Sequence, residues 1–182
     1  MISRVKLLNI PPYSEIPSRC PELPGEVYQA RLQRLRRRMK QAGLDQVIVY
    51  ADREHAANFA YFTGFGPRFE EALLIVGLTG TPRAVLGTEN IDMVRYTVAK
   101  LEGIHYPTFS LLGQPREDVK SLKEILQDAG LEKGMTVGTV GWKYYDARDG
   151  CPAGSFDIPH YIVEAILEVV GETSFGVSGI DQ

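Results

Sequence analysis

Only two cysteines, Cys20 and Cys151, occur among the 182 residues. So few and so far apart, they fit free thiols in a reducing compartment better than a disulfide framework, and neither has the neighbours of a metal signature. Long apolar runs are absent as well. The strongest, at 72–76 and 47–50, are of strand length, far below the roughly 20 residues that cross a bilayer. The N-terminal stretch has few apolar residues before Pro11 and Pro12, so it lacks the apolar core of a secretory signal and a cytoplasmic protein is expected. Nor does one sign of charge dominate: 20 Lys+Arg stand against 23 Asp+Glu, a net charge of -3. That balance excludes a basic nucleic-acid coat and an acidic disordered tail. What is present is a 44% hydrophobic chain, long enough for one sizeable core and so for one domain.

Several chemical signatures are missing too. A dinucleotide fold needs Gly-x-Gly-x-x-Gly directly after its first strand, where backbone approaches pyrophosphate. Here that place reads Ala51-Asp52-Arg53-Glu54-His55. Gly176-Val177-Ser178-Gly179 lacks the spacing of a nucleophile elbow. The three histidines, His55, His105 and His160, are never four residues apart, so no local metal-ligand spacing exists. His105 reads as a half-exposed strand residue and His160 as a polar residue in the first turn of a helix.

The residues 1–24 hold five of the eleven prolines; with φ fixed and donors missing, this stretch should be an extended arm. The remainder, 25–182, alternates helical and strand patterns. Tyr28, Leu32, Leu35, Met39 and Ala42 give one face of a helix that stops at Gly43. A strand is expected over 46–51, then a helix over 53–62 with Asp52 as its cap. The runs 71–77 and 83–87 flank a Gly-containing connection and predict an antiparallel hairpin. Ile91, Val94, Val98 and Leu101 predict a helix capped by Thr88 or Asn90 and stopped by Gly103, followed by a strand over 104–109. A further helix should open at Pro115 and carry Val119, Leu122, Ile125, Leu126 and Ala129, with a strand over 135–141 after it. Asp157 and Pro159 then open a last helix reaching Val170, with Ile162, Ile166 and Val169 inward. The expectation is an α/β domain: a mixed sheet with helices on both faces, since near-continuous apolar strands must be buried on both sides.

Arg31, Arg34, Arg36, Arg37, Arg38 and Lys40 fall off the apolar stripe of the first helix and gather toward its C-terminus. That is where solvated cations belong, so nucleic acid is not an expected partner. The stretch 52–71 is more unusual, because its charges interleave with aromatics. Arg68 and Phe69 stand on a Gly/Pro loop of the kind that carries binding function on a rigid scaffold, and an Arg can grip a carboxylate at two points. A surface salt bridge from Arg68 to Glu70 or Glu71 is the simpler reading.

The Arg-rich helix from Tyr28 to Gly43, Leu44-Asp45, the strand after it, Asn58 to Phe65 (NFAYFTGF), the hairpin and Gly87-Thr88-Glu89-Asn90 follow one another in a distinctive order. In that order and spacing the sequence resembles the N-terminal domain of the creatinase, prolidase and Xaa-Pro aminopeptidase family of metallohydrolases, over roughly residues 26–170. The resemblance implies a ribonuclease-H-like α/β fold. It also implies that the chemistry belongs to a separate C-terminal pita-bread domain, whose two Asp, one His and two Glu hold a dinuclear metal centre. A divalent metal such as Mn, Zn or Co is expected there. The chain stops at Gln182 before such a domain, so we expect a domain fragment with no catalytic residue, metal ligand or cofactor of its own. The partners implied are its own catalytic domain and a second subunit in a homodimer, with no membrane partner. The loop after Gly64 would lean over the partner subunit's active site, and Phe65, Arg68 and Phe69 are the residues placed to touch substrate in trans. Creatinase-like and Xaa-Pro-cleaving members differ in substrate, and a free-standing dimerisation or peptide-binding module is the alternative.

Overall fold

Five short aliphatic runs pair into one sheet in the computed structural model, which describes residues 22–143, 145, 148, 150 and 155–171. They are β1 (Gln46–Ala51), β2 (Ala72–Gly77), β3 (Arg83–Leu86), β4 (Glu102–His105) and β5 (Val137–Val140), in the order β4-β3-β2-β1-β5. β2 is antiparallel to β1 and β3, whereas β1 with β5 and β3 with β4 are parallel. Four strands therefore point their carboxyl ends toward one edge of the sheet, and β2 begins there.

The helices divide between the two faces as the period-2 alternation of the strands requires. Val47, Val49, Ala51, Ala72, Leu74 and Val76 face α1 (Gly25–Ala42) and α2 (Ala57–Thr63), whose Leu35, Met39 and Phe59 complete that core. Ile48, Tyr50, Leu73, Ile75 and Val85 face the other way, onto α3 (Leu122–Asp128) and α4 (His160–Val170). The mixed sheet, its antiparallel hairpin and the two covered faces are those expected. Ile162, Ile166 and Val169 point inward as predicted.

Four elements differ, each through a local hydrogen bond or a proline. Asp52 caps no helix: its carboxylate accepts the N–H groups of Glu54 and His55 at 2.8 and 2.7 Å, closing a turn, and α2 begins only at Ala57. The helix expected from Ile91 to Leu101 is a single 3-10 turn, Ile91–Arg95. Thr97 ends it, because its hydroxyl donates to the Thr63 carbonyl and accepts from Ala99 N–H, while Val98 is exposed. Gly103 consequently lies inside β4 rather than stopping a helix, and Pro107 turns the chain into a second 3-10 turn, Pro107–Phe109. α3 does not start at Pro115 but at Leu122, where Ser121 and Glu124 satisfy each other's backbone N–H in a capping box.

The expected arm lies outside the described residues except for 22–24, which form neither helix nor strand. Cys20, Cys151 and Gly176-Val177-Ser178-Gly179 also lie outside them. No helix among the described residues is long and apolar enough to cross a membrane.

Candidate functional site

At the carboxyl edge of an open α/β sheet, loops leave for opposite faces and a crevice can open between them. Here the segments that meet are 52–56 after β1, 66–71 before β2, 87–90 after β3 and 141–143 after β5. They bring together Asp52, His55, Glu70, Glu71 and Asn90.

Around β1 and β5, Asp52 holds His55 by side chain as well as backbone, with Nδ1 3.0 Å from the carboxylate. Burial opposes the charge on Asp52, but these hydrogen bonds outweigh it and keep the carboxyl below its usual range. The His55 ring stacks on Trp142, centroids 4.0 Å apart. Asn58 donates to the Gly141 carbonyl at 2.7 Å and ties α2 to the end of β5. Gly141 has no room for a side chain, since a Cβ would come within 2.3 Å of the Asp157 carboxyl. Beside this group, Glu71 accepts hydrogen bonds from the hydroxyls of Tyr50 at 2.9 Å and Tyr161 at 2.8 Å. Burial first, then the neighbouring carboxylate, raises both phenols well above their ordinary value.

The predicted residues lie on the adjoining loop. Phe65 is buried and packs edge-on against Phe59, so its ring belongs to the core. Arg68 and Phe69 are exposed, with Phe69 at 51%. The guanidinium groups of Arg53 and Arg68 each sit 5.6 Å from the Phe69 ring centre. Phe69 has φ 71, a left-handed conformation that costs a non-glycine residue about 1–3 kcal/mol.

What holds the loop there is a polar cluster beneath it. Asn90 accepts the Arg68 N–H at 3.3 Å and donates to the Arg68 carbonyl at 3.0 Å. The same amide nitrogen donates to Glu70, whose other oxygen accepts Glu89 N–H at 2.8 Å. Glu70 is only 3% exposed and Asn90 only 5%. Gly87 makes this possible: a Cβ there would stand 2.2 Å from the Glu70 carboxylate. Burial pushes the Glu70 carboxyl up to about 7, helped by Glu89. Glu89, accepting from Glu70, is held below its usual range. The simple salt bridge expected for Arg68 does not form, because Glu70 turns inward to Asn90 and Glu71 turns to the two tyrosines.

Sequence reasoning did not single out Glu70, Asn90, Trp142 or Tyr161 as site residues. In sequence Glu70 and Glu71 are two acids in a row before an unbroken apolar strand, and nothing there tells which of them turns inward. His105 ends β4 and touches Thr88 Oγ1 at 3.1 Å, and His160 opens α4 exposed, near Glu164, so both take the modest places expected. Among the described residues no three His, Cys, Asp or Glu side chains are gathered to hold a metal ion. The basic face of α1 is less idle than its pattern implied. Arg31 lies over the Tyr61 ring and donates to the Tyr61 carbonyl at 2.6 Å, while Arg36 donates to the carbonyls of Gly77 and Gly80.

Comparison with known proteins agrees with this architecture. The chain resembles dipeptidase PepE from Mycobacterium ulcerans, at 12% identity and a TM-score of 0.54, over 83% of this chain and 34% of that one. It also resembles the creatinase/prolidase N-terminal domain of an X-Pro dipeptidase from Streptococcus pyogenes, at 14% identity and a TM-score of 0.53, over 81% of this chain and 92% of that domain. At such identities the likeness is one of fold. In sequence, a protein from Streptomyces avermitilis named tryptophan synthase alpha chain is 33% identical over 140 residues, 76% of this chain and 44% of its own length. The chain thus spans less than half of that relative and about a third of the dipeptidase chain. The family profile of the creatinase/prolidase N-terminal domain matches residues 31–146, from the middle of α1 past β5. By that match, and with the mixed sheet of the same fold beneath it, the chain belongs to the creatinase/prolidase N-terminal domain family.

Proposed function

We propose that this chain is the noncatalytic N-terminal domain of a metal-dependent hydrolase that cleaves Xaa-Pro peptides or a similar small C–N substrate. In this reading it supports a homodimer and covers the partner subunit's active site, where a divalent metal is held by a C-terminal catalytic domain. The observation that carries the reading is the loop bearing Arg68 and Phe69. It is exposed and charged, yet its backbone is fixed at both the N–H and the carbonyl of Arg68 by a buried amide. Exposed loops without a task are not usually held in a strained conformation from below. A guanidinium beside an aromatic ring suits the carboxylate and the apolar side group of a small peptide.

The test is hydrolysis by the parent protein, assayed on Xaa-Pro dipeptides with added divalent metal. The expected result is turnover that falls about 10- to 100-fold in kcat/KM for Arg68→Ala, the usual scale for one lost charged contact, with an unchanged melting temperature. A parent protein that binds such peptides and never cleaves them would make the domain a binding module instead.

A further inference from the structure

Among the described residues Glu70 is the only buried carboxylate. Its two oxygens are divided between a backbone N–H of Glu89 and the side-chain amide of Asn90. Among the described residues Asn90 in turn links this carboxylate to the backbone of Arg68. We propose that Glu70 is a positioning residue: acting through Asn90 it holds Arg68 and Phe69 in their strained arrangement, and it loses part of that hold on taking up a proton. The inference rests on the reading above that this loop is the working part of the domain.

The chemistry follows from what each form of the carboxyl can do. Ionised, both oxygens accept, and charge-assisted bonds are about twice as strong as neutral ones. The Asn90 amide is then fixed by its strongest contact, and its remaining oxygen and hydrogen clamp Arg68 on both sides. Protonated, Glu70 must donate one O–H, and the carboxylate of Glu89 is the acceptor at hand. A neutral acid accepts less strongly from Asn90, so the clamp loosens and Phe69 can leave its left-handed conformation. The buried position places this exchange near neutrality, where carboxyls do not ordinarily titrate.

The surroundings are defined. Glu89 is the ionisable group that faces Glu70 directly. Behind Glu89, Thr88 and Ser110 are bonded to each other, and they lead to His105 on one side and Arg116 on the other. On Glu70's own segment Glu71 faces away, bound to Tyr50 and Tyr161, and Arg68 extends over Phe69.

The experiment is an NMR titration of the 182-residue chain from about pH 5 to about pH 9, spanning the shifted carboxyl and ordinary His, with amide exchange measured at each end. The expected result is one shared midpoint near neutrality for the amide signals of Arg68, Phe69 and Glu89 and for the Asn90 side-chain NH2. Arg68 N–H should be less protected on the acid side, after correction for intrinsic exchange. In Glu70→Gln that neutral step should vanish. Signals of Arg68 and Phe69 that stay still across the range would overturn the proposal. So would a step that persists in Glu70→Gln, which assigns it to another group. Should Glu70→Gln fail to fold, His105→Gln decides instead, because the step must survive there. These readouts do not depend on turnover. A loop that titrates, in a parent protein whose activity ignores Arg68→Ala, would uphold the device and overturn only the proposed role of the loop.

Discussion

A residue without a side chain is here as telling as any charged one. Gly87 leaves the space that the Glu70 carboxylate fills, and a methyl group there would lie 2.2 Å from Oε1. Glu70 cannot swing aside freely, because it is buried and bonded at both oxygens. Gly87→Ala should therefore cost about 1–3 kcal/mol, the price of leaving buried polar groups unmatched. The same substitution in a Glu70→Ala background should cost much less, and urea unfolding of the four proteins measures that coupling. Equal costs in both backgrounds would show that the methyl meets something other than Glu70. Glu70 also fixes the sign of a pH effect. Its folded value of about 7 lies above the 4.5 of an ordinary Glu, so the folded chain binds the proton more tightly. Its stabilising contribution is then full below about 4.5 and lost as pH rises to about 7. Glu89 acts in the opposite sense at lower pH, where protonation removes a charge that the fold favours. The melting temperature of the wild type relative to Glu70→Gln should accordingly fall between about pH 4.5 and about pH 7, and a flat difference would contradict the burial argument. None of this was legible in sequence, since Glu70 and Asn90 are twenty residues apart and the hairpin alone brings them together.

At the scale of elements, legibility tracked how far apolar periodicity alone decides structure. α1, α4 and the hairpin lie where their apolar spacing puts them, because each buries one continuous face. The segments that went astray are those where a side chain bonds its own backbone. Asp52 closes a turn that delays α2, Thr97 ends a helical stripe after one 3-10 turn, and Ser121 rather than Pro115 starts α3. Such bonds compete with helix geometry residue by residue and leave no mark on a hydrophobic pattern. The capping box can be tested alone. Ser121 N–H donates to Glu124 at 2.8 Å, and the Ser121 hydroxyl accepts Glu124 N–H at 3.3 Å. α3 has only 7 residues, of which Leu122, Ile125 and Leu126 are buried against α4 and the sheet. A helix so short depends on its cap more than a long one does. Ser121→Ala should cost about 1 kcal/mol, while Ser121→Asp should retain nearly all the stability. A denaturation midpoint unmoved by either substitution would mean that packing of the three buried residues holds α3 without its cap.

For the whole molecule, α1 and α2 cover one face of the sheet and α3 and α4 the other. The arrangement of the sheet gathers the clusters around Asp52, Glu70 and Glu71 onto one edge. Arg68 and Phe69 project there from a base that is itself buried. If they serve the active site of a second subunit, as proposed, the loop and the catalytic groups that use it belong to different chains, and a mixed dimer separates them. Consider a parent protein carrying Arg68→Ala and a second version disabled in its catalytic domain. Each homodimer lacks one requirement at both sites. A symmetric dimer that forms at random from equal amounts of the two is mixed in about half the molecules. In each mixed dimer one site joins intact catalytic groups to an intact Arg68 from the other chain. Co-refolding the two inactive proteins should therefore return about a quarter of wild-type activity. If the loop served its own chain instead, one mixed protomer would lack the loop and the other the catalysis, and no activity would return. The recovered fraction thus distinguishes contact in trans from contact in cis, whatever the substrate.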